Sequence, residues 1–523
     1  MSRETNIDSI RTLDEQIIKL KRSRNSLLDI STCVPPEILG RIFAWSIARE
    51  PSRSHSSKHF DGLRKGSYNF LLVCHHWFEV ASHTPELWRF WGNTLLDWKK
   101  RHHRSGASPI DLVLNGWECD PNIRFDGTLH SAIRGRVIQN TIRQIHLRSG
   151  DNDTLTPVIS SLTPDNEEDG QNENIESIVW HNTRLPSVDV SNFFARSRLS
   201  KLYLLELTGN FWISSWDRLA SGTTLLTALT LQINTSTPSP TPTTSQLFSI
   251  LASNPNLQRL ALSGAFPSDT DGSAPKVSLP NLNLLSLRGE FVPLLGLLRR
   301  LILPPRLDRM ELTASDTTEE DISKTLGPYM RDYFRRDARF QDRLHIFSSA
   351  SPGSFWISVD TLRSHTTVPV HAVAVSLYPR ALDAPDQFLI GLFALVPGDL
   401  VASFHFYSDM KLPEKVFSMM PNIETLHLTY VKLTEGFLQP NPDGPRANMK
   451  LLPSLRALCL EDVNLDNDDW GHLVTYLVHQ TSDNQIISLE VNGDYPRMDP
   501  EVVDEIEGLV KVFTTNTPDT SLG

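Results

Sequence analysis

The 523-residue chain is poor in cysteine and has no long apolar run. Its four cysteines lie far apart and include no Cys-x-x-Cys pair, which argues against a disulfide framework and is typical of a reducing compartment. The most apolar run, residues 388–396, stops well short of the roughly 20 residues that a membrane helix needs. The N-terminus lacks the apolar core of a signal peptide. The sequence therefore predicts a protein of the cytoplasm or nucleus that spans no membrane.

A basic surface is also missing. The net charge is −11, and residues 1–104 contain 17 Lys and Arg against 11 Asp and Glu, whereas the remainder contains 33 against 50. A nucleic-acid-binding protein needs a basic face that displaces counterions from the phosphates. The acidic character of the larger part therefore argues against nucleic acid as a partner.

Motifs for catalysis and cofactor binding are absent as well. The chain contains no G-x-x-x-x-G-K-[ST] phosphate-binding loop and no G-x-G-x-x-G after a strand, and neither H-E-x-x-H nor G-x-S-x-G occurs. The sequence Cys74-His75-His76 has no second ligand cluster at zinc spacing. We therefore expect no cofactor, no metal and no enzymatic activity.

One short stretch contains more apolar surface than its own helices can bury. Apolar residues at helical spacing follow the proline pair Pro35-Pro36, and more of them surround the helix-ending pair Thr84-Pro85. These apolar residues are Ile38, Leu39, Ile42, Phe43, Leu72, Val73, Trp77, Leu87 and Trp88. Two or three short helices cannot bury all of them among themselves, and the excess is typical of a partner-binding patch.

This stretch resembles the F-box, the motif through which substrate receptors join SCF-type (Skp–cullin–F-box) ubiquitin ligases. The resemblance rests on the proline pair, the Ile-Leu and Ile-Phe pairs, Val73-Cys74-x-x-Trp77 and the final Leu87-Trp88. It implies that Pro35 and the nine apolar residues contact the Skp-type adaptor. A polar insertion, residues 49–66, falls where a loop is expected. The residues from Trp98 to Leu112 also resemble the segment that follows the F-box in a large class of fungal F-box-like proteins.

An apolar stripe of heptad-like spacing precedes the F-box-like stretch. Its members are Ile10, Leu13, Ile17, Leu20 and Leu27, and Arg24 interrupts it. Two interpretations remain open. The stripe predicts either an amphipathic helix that packs on the F-box or a self-associating coiled coil, although a coiled coil normally needs three or four clean heptads.

A repeated strand pattern dominates the rest of the chain. Copies of L-x-x-L-x-L-x-x-N begin at Leu202 and Leu226, and looser copies begin at Ile142, Ile175, Leu257, Leu282, Leu307, Val370, Val401, Ile423, Leu455 and Ile486. The pattern is that of a leucine-rich repeat, in which each strand directs leucines inward and a helix returns the chain. The 63-residue gap between residues 307 and 370 has room for one more copy near residues 344–347.

The predicted fold class is α/β, with a short all-α F-box head followed by an irregular leucine-rich-repeat solenoid. Residues 1–29 are expected to form an amphipathic helix, 30–104 the F-box, 105–515 the repeat domain and 516–523 a flexible tail. A closed α/β barrel would instead have about eight βα units and no such repeat. Near the C-terminus, a capped helix is expected to present Val502, Ile506, Leu509, Val510 and Phe513 on one side.

The repeats also predict a target-binding face. Side chains alternate across a strand, so the residues that flank the inward leucines should form the concave face. The charged members of that row are Arg148, Arg259, Arg288, Arg309, Glu311, His427, Glu461 and Glu490. Arginine dominates the early copies and glutamate the late ones, an arrangement that would orient a protein ligand of complementary charge. A generic polar surface explains the same residues.

The resemblance implies a substrate-recognition adaptor of an SCF-type ubiquitin ligase. In this interpretation the F-box binds the Skp-type adaptor and through it the cullin complex, while the repeats bind a target protein. The chain then acts by proximity and not by chemistry of its own. Two alternatives remain open. One is an F-box/repeat scaffold that acts without a cullin ligase, and the other is a hydrolase within the repeats, for which the chain shows no nucleophile motif.

Overall fold

The computed structural model of the protein describes most of the chain. The described residues are 3–28, 34–48, 73–91, 102–115, 127–149, 152–164, 172–183, 187–214, 216–233, 242–264, 275–337, 340, 344–351, 354–361, 373–380, 385–408, 410, 412–431, 452–463, 467–480, 486–493 and 500–516. The chain divides into two compact units, Met1–Leu225 and Leu226–Gly523.

Helix α1 (Arg3–Leu28) opens the first unit. Every side chain from Ile10 to Arg24 is exposed, including the stripe residues Ile10, Leu13, Ile17 and Leu20. The predicted amphipathic helix is therefore present, but the expectation that it packs on the F-box stretch is wrong for these residues. A helix that packs through an apolar stripe shields that stripe from solvent.

Three short helices follow and close a core of their own. They are α2 (Pro36–Ala48), α3 (His75–Ser82) and a 3-10 helix (Pro85–Trp88). The side chains buried together are Leu39, Phe43, Val80, Ala81, Leu87 and Trp88, with Val34, Ala44 and Trp77 packed against them. The indole Nε1 of Trp88 donates a hydrogen bond to the carbonyl oxygen of Ala81 at 2.8 Å, so the largest ring of this core has its polar atom satisfied. We refer to the described residues between 34 and 88 as the head.

Gly40 allows α2 to approach the end of α3. A Cβ at this position would lie 2.7 Å from Thr84 Oγ1, which is too close for a non-bonded contact. Thr84 cannot easily give way, because its hydroxyl donates a hydrogen bond to the carbonyl oxygen of Val80 at 2.7 Å. Residue 40 must therefore lack a side chain for the helices of the head to close on one another.

Parallel strands build the remainder of the first unit. The main sheet contains β1 (Phe90–Trp91), β2 (Ile110–Asn115), β3 (Ile142–Ser149), β4 (Ser177–Asn182) and β6 (Leu204–Gly209). Each strand pairs in parallel with the next one, in the order β1-β2-β3-β4-β6. A separate parallel pair joins β5 (Val188–Asp189) to β7 (Phe211–Trp212). Since neighbours in the sheet are also neighbours in the chain, this region is built as a repeat.

Helices α4 (Gly127–Ile138), α5 (Asn152–Leu162) and α6 (Ser191–Arg196) lie between these strands in the chain, and α7 (Asp217–Gly222) follows β7. The packing centre is Trp180 of β4, which is fully buried. Its ring lies 5.0 Å from the ring of Phe193, 5.7 Å from Phe194 and 6.3 Å from Phe211. Helix α6 is thus fixed to the sheet by an aromatic cluster.

The second unit contains a longer sheet of the same kind. Its strands are β8 (Ala228–Ile233), β9 (Arg259–Ser263), β11 (Leu284–Glu290), β13 (Arg309–Thr317), β14 (Leu344–Ser351), β15 (Ser354–Thr361), β16 (Val373–Pro379), β17 (Val401–Ser408), β18 (Thr425–Thr429), β19 (Ala457–Glu461), β20 (Ser488–Asn492) and β21 (Val512–Asn516). Strands β10 (Val277–Ser278) and β12 (Leu301–Ile302) form a separate short parallel pair.

The order of strands in this sheet departs from the order in the chain at one place. Strands β8, β9, β11 and β13 pair successively, and β13 then pairs with β16. The order in the sheet is therefore β13-β16-β15-β14-β17. Strand β15 is antiparallel to both of its neighbours, and β14 is parallel to β17. Strands β17 to β21 again follow one another in parallel. An antiparallel meander thus interrupts the repeat.

Helices cover one face of this sheet. They are α8 (Thr244–Ser253), α9 (Phe291–Arg300), α10 (Glu319–Asp321), a π-helix (Ile322–Leu326), α11 (Gly327–Arg336), α12 (Pro385–Phe393), a 3-10 helix (Gly398–Leu400), α13 (Glu414–Met419), α14 (Asn467–Gln480) and α15 (Pro500–Leu509). Phe393 of α12, for example, lies 5.1 Å from the ring of Phe404 in β17. Residues that alternate with such buried ones point away from the helices, and we refer to their side of the strands as the open face.

The predicted repeated strands are confirmed, but the expected content of the gap between residues 307 and 370 and the expected position of Phe513 are not. Each of the twelve copies contains a described strand. The gap between residues 307 and 370 holds two strands, β14 and β15, where one copy was expected. At the C-terminus the helix ends at Leu509, and Phe513 belongs to β21, so its expected place on the helix is wrong. Residues 49–66, the expected loop, lie outside the described residues.

Candidate protein-binding surfaces

One face of α2 leaves three large apolar side chains in solvent. Ile38, Ile42 and Trp45 are 46%, 52% and 59% exposed, and their spacing of four and three residues places them on one side of the helix. Their neighbours Leu39 and Phe43 are each only 3% exposed, because they fill the core of the head. The helix is therefore apolar on two sides, one of which fills the core of the head while the other is about half exposed.

The other predicted adaptor-binding residues lie in several environments. Pro35 is exposed, and its carbonyl oxygen accepts hydrogen bonds from the amides of Ile38 and Leu39, both at 3.0 Å. Val73 is exposed, and Trp77 is half-buried with its ring 4.9 Å from that of Phe43. Leu87 and Trp88 are buried in the head core, and Leu72 lies outside the described residues. Trp45 and Phe78, which sequence reasoning did not assign to the site, are exposed.

Cys74 is the N-cap residue of helix α3. Its Sγ accepts a hydrogen bond from the amide of Trp77 at 3.5 Å, and its extended backbone places it at the N-cap. A thiol is a weak acceptor and an unusual N-cap. The helix itself begins at His75.

A buried ion cluster joins the head to the first strands of the sheet. The carboxylate of Asp111 accepts hydrogen bonds from Arg143 Nε at 3.0 Å and from Arg143 Nη2 at 2.8 Å, and Arg89 Nε lies 3.3 Å from Asp111 Oδ2. Burial lowers the pKa of Arg89. Burial acts in the same direction on Arg143, but the hydrogen bonds and charge of Asp111 outweigh it and raise the pKa of Arg143 above its ordinary value. One carboxylate therefore holds two guanidinium groups at this junction.

Aromatic and cationic side chains support the same junction. The Arg104 guanidinium lies 4.4 Å from the centre of the Trp88 ring, on the last residue of the head. The Arg136 guanidinium lies 5.0 Å from the centre of the Trp91 ring and donates a hydrogen bond to Ser105 Oγ at 2.7 Å. The region of Trp88 is thus covered by the chain itself, unlike the exposed face of α2.

The first strands of the second unit carry the predicted arginines. Arg259 of β9 is half-buried, Arg288 of β11 is exposed, and Arg309 of β13 forms an ion pair with Glu311 two residues later. Arg148 belongs to β3 of the first unit, where it is half-buried. Three of the predicted arginines therefore lie on the adjacent strands β9, β11 and β13 of the second unit. Glu311 also lies on β13 and is paired with Arg309.

The later strands carry the predicted acidic residues. His427 Nε2 lies 3.1 Å from Glu461 Oε2, which also accepts a hydrogen bond from Thr429 Oγ1 at 3.2 Å. Glu490 of the next strand accepts a hydrogen bond from Asn492 Nδ2 at 2.9 Å. Strands β16, β15, β14 and β17 separate this group from the arginines of β9 to β13. The two charge types thus occupy different parts of one open face.

A histidine row lies between the acidic residues and the meander. The ring of His405 stacks 4.7 Å from that of Phe347 and lies 5.0 Å from that of His427. Burial, together with the neighbouring His427 and His345, lowers the pKa of His405 to about 4. His405 is therefore neutral at neutral pH. Among the described residues, no group of three or more His, Cys, Asp or Glu side chains is placed to hold a metal ion.

Comparisons with known proteins add little. No family model matches the chain, and no curated protein matches it. Among solved structures, an internalin from Listeria monocytogenes is 13% identical and covers 76% of this chain and 96% of its own, with a TM-score of 0.29. The fold described above follows from the strand pairing within this chain. In the described part of the chain, no helix combines the length and apolarity needed to cross a membrane.

Proposed function

We propose that this chain is the substrate-recognition adaptor of an SCF-type ubiquitin ligase, acting in the cytoplasm or nucleus. The head binds the Skp-type adaptor. Strands β2 to β21 form a leucine-rich-repeat solenoid, which we name the strand ladder, and it binds a target protein through its open face. The chain itself has no catalytic role, and it promotes the reaction by holding the target near the ubiquitin-charged enzyme.

The observation that supports this proposal most directly is the exposed face of α2. The head already has a closed core, so Ile38, Ile42 and Trp45 are not required inside it. Removing apolar surface from water is favourable by about 25 cal/mol per Å², although only part of this appears as binding affinity. Ile38 and Ile42, with the exposed part of Trp45, therefore offer a partner subunit an apolar surface at helical spacing. The adaptor contact is proposed to centre on these three residues, with Pro35 and Val73 at its edge.

The test is binding of a purified Skp-type adaptor to the full-length chain and to Ile42→Asp. Burying an unpaired carboxylate in an apolar contact costs several kcal/mol. We therefore expect the substitution to weaken adaptor binding by at least tenfold in a titration followed by calorimetry. A matched control is Val292→Asp, which places the same charge at an exposed valine of α9. The control should bind the adaptor as the unmodified chain does.

Wild-type adaptor affinity in Ile42→Asp would contradict the proposed contact. A second measurement separates a ligase adaptor from a scaffold that acts without a cullin. If the complex of chain and Skp-type adaptor elutes together with added cullin, the chain reaches the ligase. If the cullin elutes alone while the adaptor stays bound, the scaffold interpretation is correct.

A further inference from the structure

Two tyrosines and two carboxylates meet at the ends of β17, β18 and β19. Tyr407 and Tyr430 are 55% and 47% exposed, and their rings lie 5.2 Å apart with the edge of one toward the face of the other. The carboxylate of Asp462 interacts with the Tyr430 hydroxyl and raises the pKa of this tyrosine. Glu461 precedes Asp462 and lies opposite Thr429 in the sheet. We name Tyr407, Tyr430, Glu461 and Asp462 the tyrosine–carboxylate surface.

The backbone of this surface has an unusual conformation for its residues. Tyr430 and Asp462, each one residue past the end of a strand, have φ values of 58° and 49°. The equivalent position after β20 is Gly493, with φ of 130°. This region of φ favours glycine and is sterically unfavourable for a residue as large as tyrosine. Tyrosine and aspartate therefore stand after β18 and β19 where glycine stands after β20, and the ring of Tyr430 lies against that of Tyr407.

The described residues of β17 to β20 near the tyrosine pair include carboxylates. Strands β17 to β20 contain no lysine or arginine among their described residues, and Arg456 precedes β19 at the end opposite Glu461. Glu490 adds a third carboxylate on the neighbouring strand. His405 lies farther down the same face and is neutral at neutral pH because burial lowers its pKa. A cation that approached the rings would meet acidic groups and no competing charge from these strands.

We propose that the tyrosine–carboxylate surface binds a positively charged side chain of the target protein, and arginine in preference to lysine. A guanidinium stacks on aromatic rings and donates paired hydrogen bonds to carboxylates, and a lysine ammonium matches this geometry less well. The inference rests on the proposed function in one respect, since it takes the ladder as the target-binding part. It adds the chemistry of the segment that the ladder recognises.

The test is binding of three labelled heptapeptides to the full-length chain. In each peptide glycine alternates with one charged residue: arginine, lysine or glutamate. We expect the arginine peptide to bind at least tenfold more tightly than the glutamate peptide and more tightly than the lysine peptide. Affinities are measured by thermophoresis at low salt, up to millimolar peptide, because exposed charges are screened as salt increases.

The variant Tyr430→Gly removes the ring while relaxing the backbone, so a loss of binding cannot be attributed to a strained fold. We expect at least a fivefold loss of affinity for the arginine peptide with an unchanged or raised melting temperature. Asp462→Asn should also weaken binding, because asparagine accepts the same backbone conformation without the charge. The matched control is Tyr378→Ala, which removes another exposed tyrosine of the same sheet.

Equal affinity for the arginine and glutamate peptides would overturn the proposal, and so would wild-type affinity in Tyr430→Gly. Adaptor binding by the head is measured separately in these variants and should be unchanged. A chain that fails to bind the Skp-type adaptor but prefers the arginine peptide would refute the ligase assignment and leave the cation-binding surface intact. The reverse result would refute this surface alone.

Discussion

The head and the strand ladder treat their apolar side chains differently. In the ladder, leucines at alternate strand positions, such as Leu205 and Leu207 of β6, are buried under the helical returns. In the head, α2 buries Leu39 and Phe43 but exposes Ile38, Ile42 and Trp45. Both regions are rich in apolar residues, yet only the ladder covers nearly all of them.

The difference follows from how each region obtains its neighbours. A repeat receives the cover it lacks from the next repeat, so the sheet can extend without leaving apolar faces open. A head of three short helices has one core and no further copy beside it. Its second apolar face is about half exposed, which is unfavourable in water for side chains of this size. This contrast is the physical basis for the proposed adaptor contact.

The largest expected effect comes from comparing two adjacent residues of α2. Leu39→Ala removes a side chain from the head core and should destabilise the head by about 2–5 kcal/mol, whereas Ile38→Ala removes an exposed one and should change its stability by less than about 0.5 kcal/mol. The measurement is amide hydrogen exchange in α3, followed by mass spectrometry. Faster exchange is expected only in Leu39→Ala. Similar exchange in the two variants would show that the faces of α2 are not distinct.

A smaller effect is expected at the junction between the head and the sheet. Asp111→Asn leaves the guanidinium groups of Arg89 and Arg143 without their shared carboxylate in a largely buried site. Removing one partner of such a cluster should lower the free energy of unfolding of the first unit by about 3 kcal/mol. The measurement is urea unfolding followed by hydrogen exchange in β2 and β3.

The control for this junction is Glu320→Gln, which removes the carboxylate of an exposed ion pair with Lys324. This change should leave the urea midpoint where it is, since exposed pairs contribute little. If Asp111→Asn and Glu320→Gln behave alike, the junction does not depend on its buried charges, and the head is held to the sheet by β1 and the aromatic contacts alone.

The strands were predictable because each copy contains its own evidence. The alternation in Leu202 to Leu207, for example, indicates a strand without reference to any other part of the chain. The meander was not predictable, because pairing of β14 with β17 joins residues far apart in sequence and no local pattern specifies it. Phe513 was misplaced for a related reason, since one aromatic residue fits the phase of a helix and of a strand equally well.

The candidate sites were predictable in composition but not in orientation. Helical spacing identified the apolar residues of α2, yet a stripe that includes Ile38, Leu39 and Ile42 is too broad to show which side chains face the core. In the sequence, nothing distinguishes Asp111 from other residues of a strand. Its partners Arg89 and Arg143 lie in other segments, which come close to it only in the folded chain. The left-handed backbone of Tyr430 leaves no signal in the sequence, because tyrosine is not the residue expected there.

The smallest expected effect concerns the open face of the ladder, which buries polar groups where the head exposes apolar ones. Burial lowers the pKa of His405 to about 4, below the value of about 6.5 for an unfolded chain. Between these two values the unfolded chain binds the extra proton, so stability decreases as the pH falls from 6.5 toward 4. The loss at pH 5 should be on the order of 1 kcal/mol once solvent screening at this partly exposed ring is allowed for. His405→Gln should abolish that part of the pH dependence, measured as the difference in urea midpoint between pH 7 and pH 5. Equal differences in the two proteins would mean that His405 accepts its proton as readily in the folded chain as in the unfolded one, and that the open face is as solvated there as the exposed face of α2.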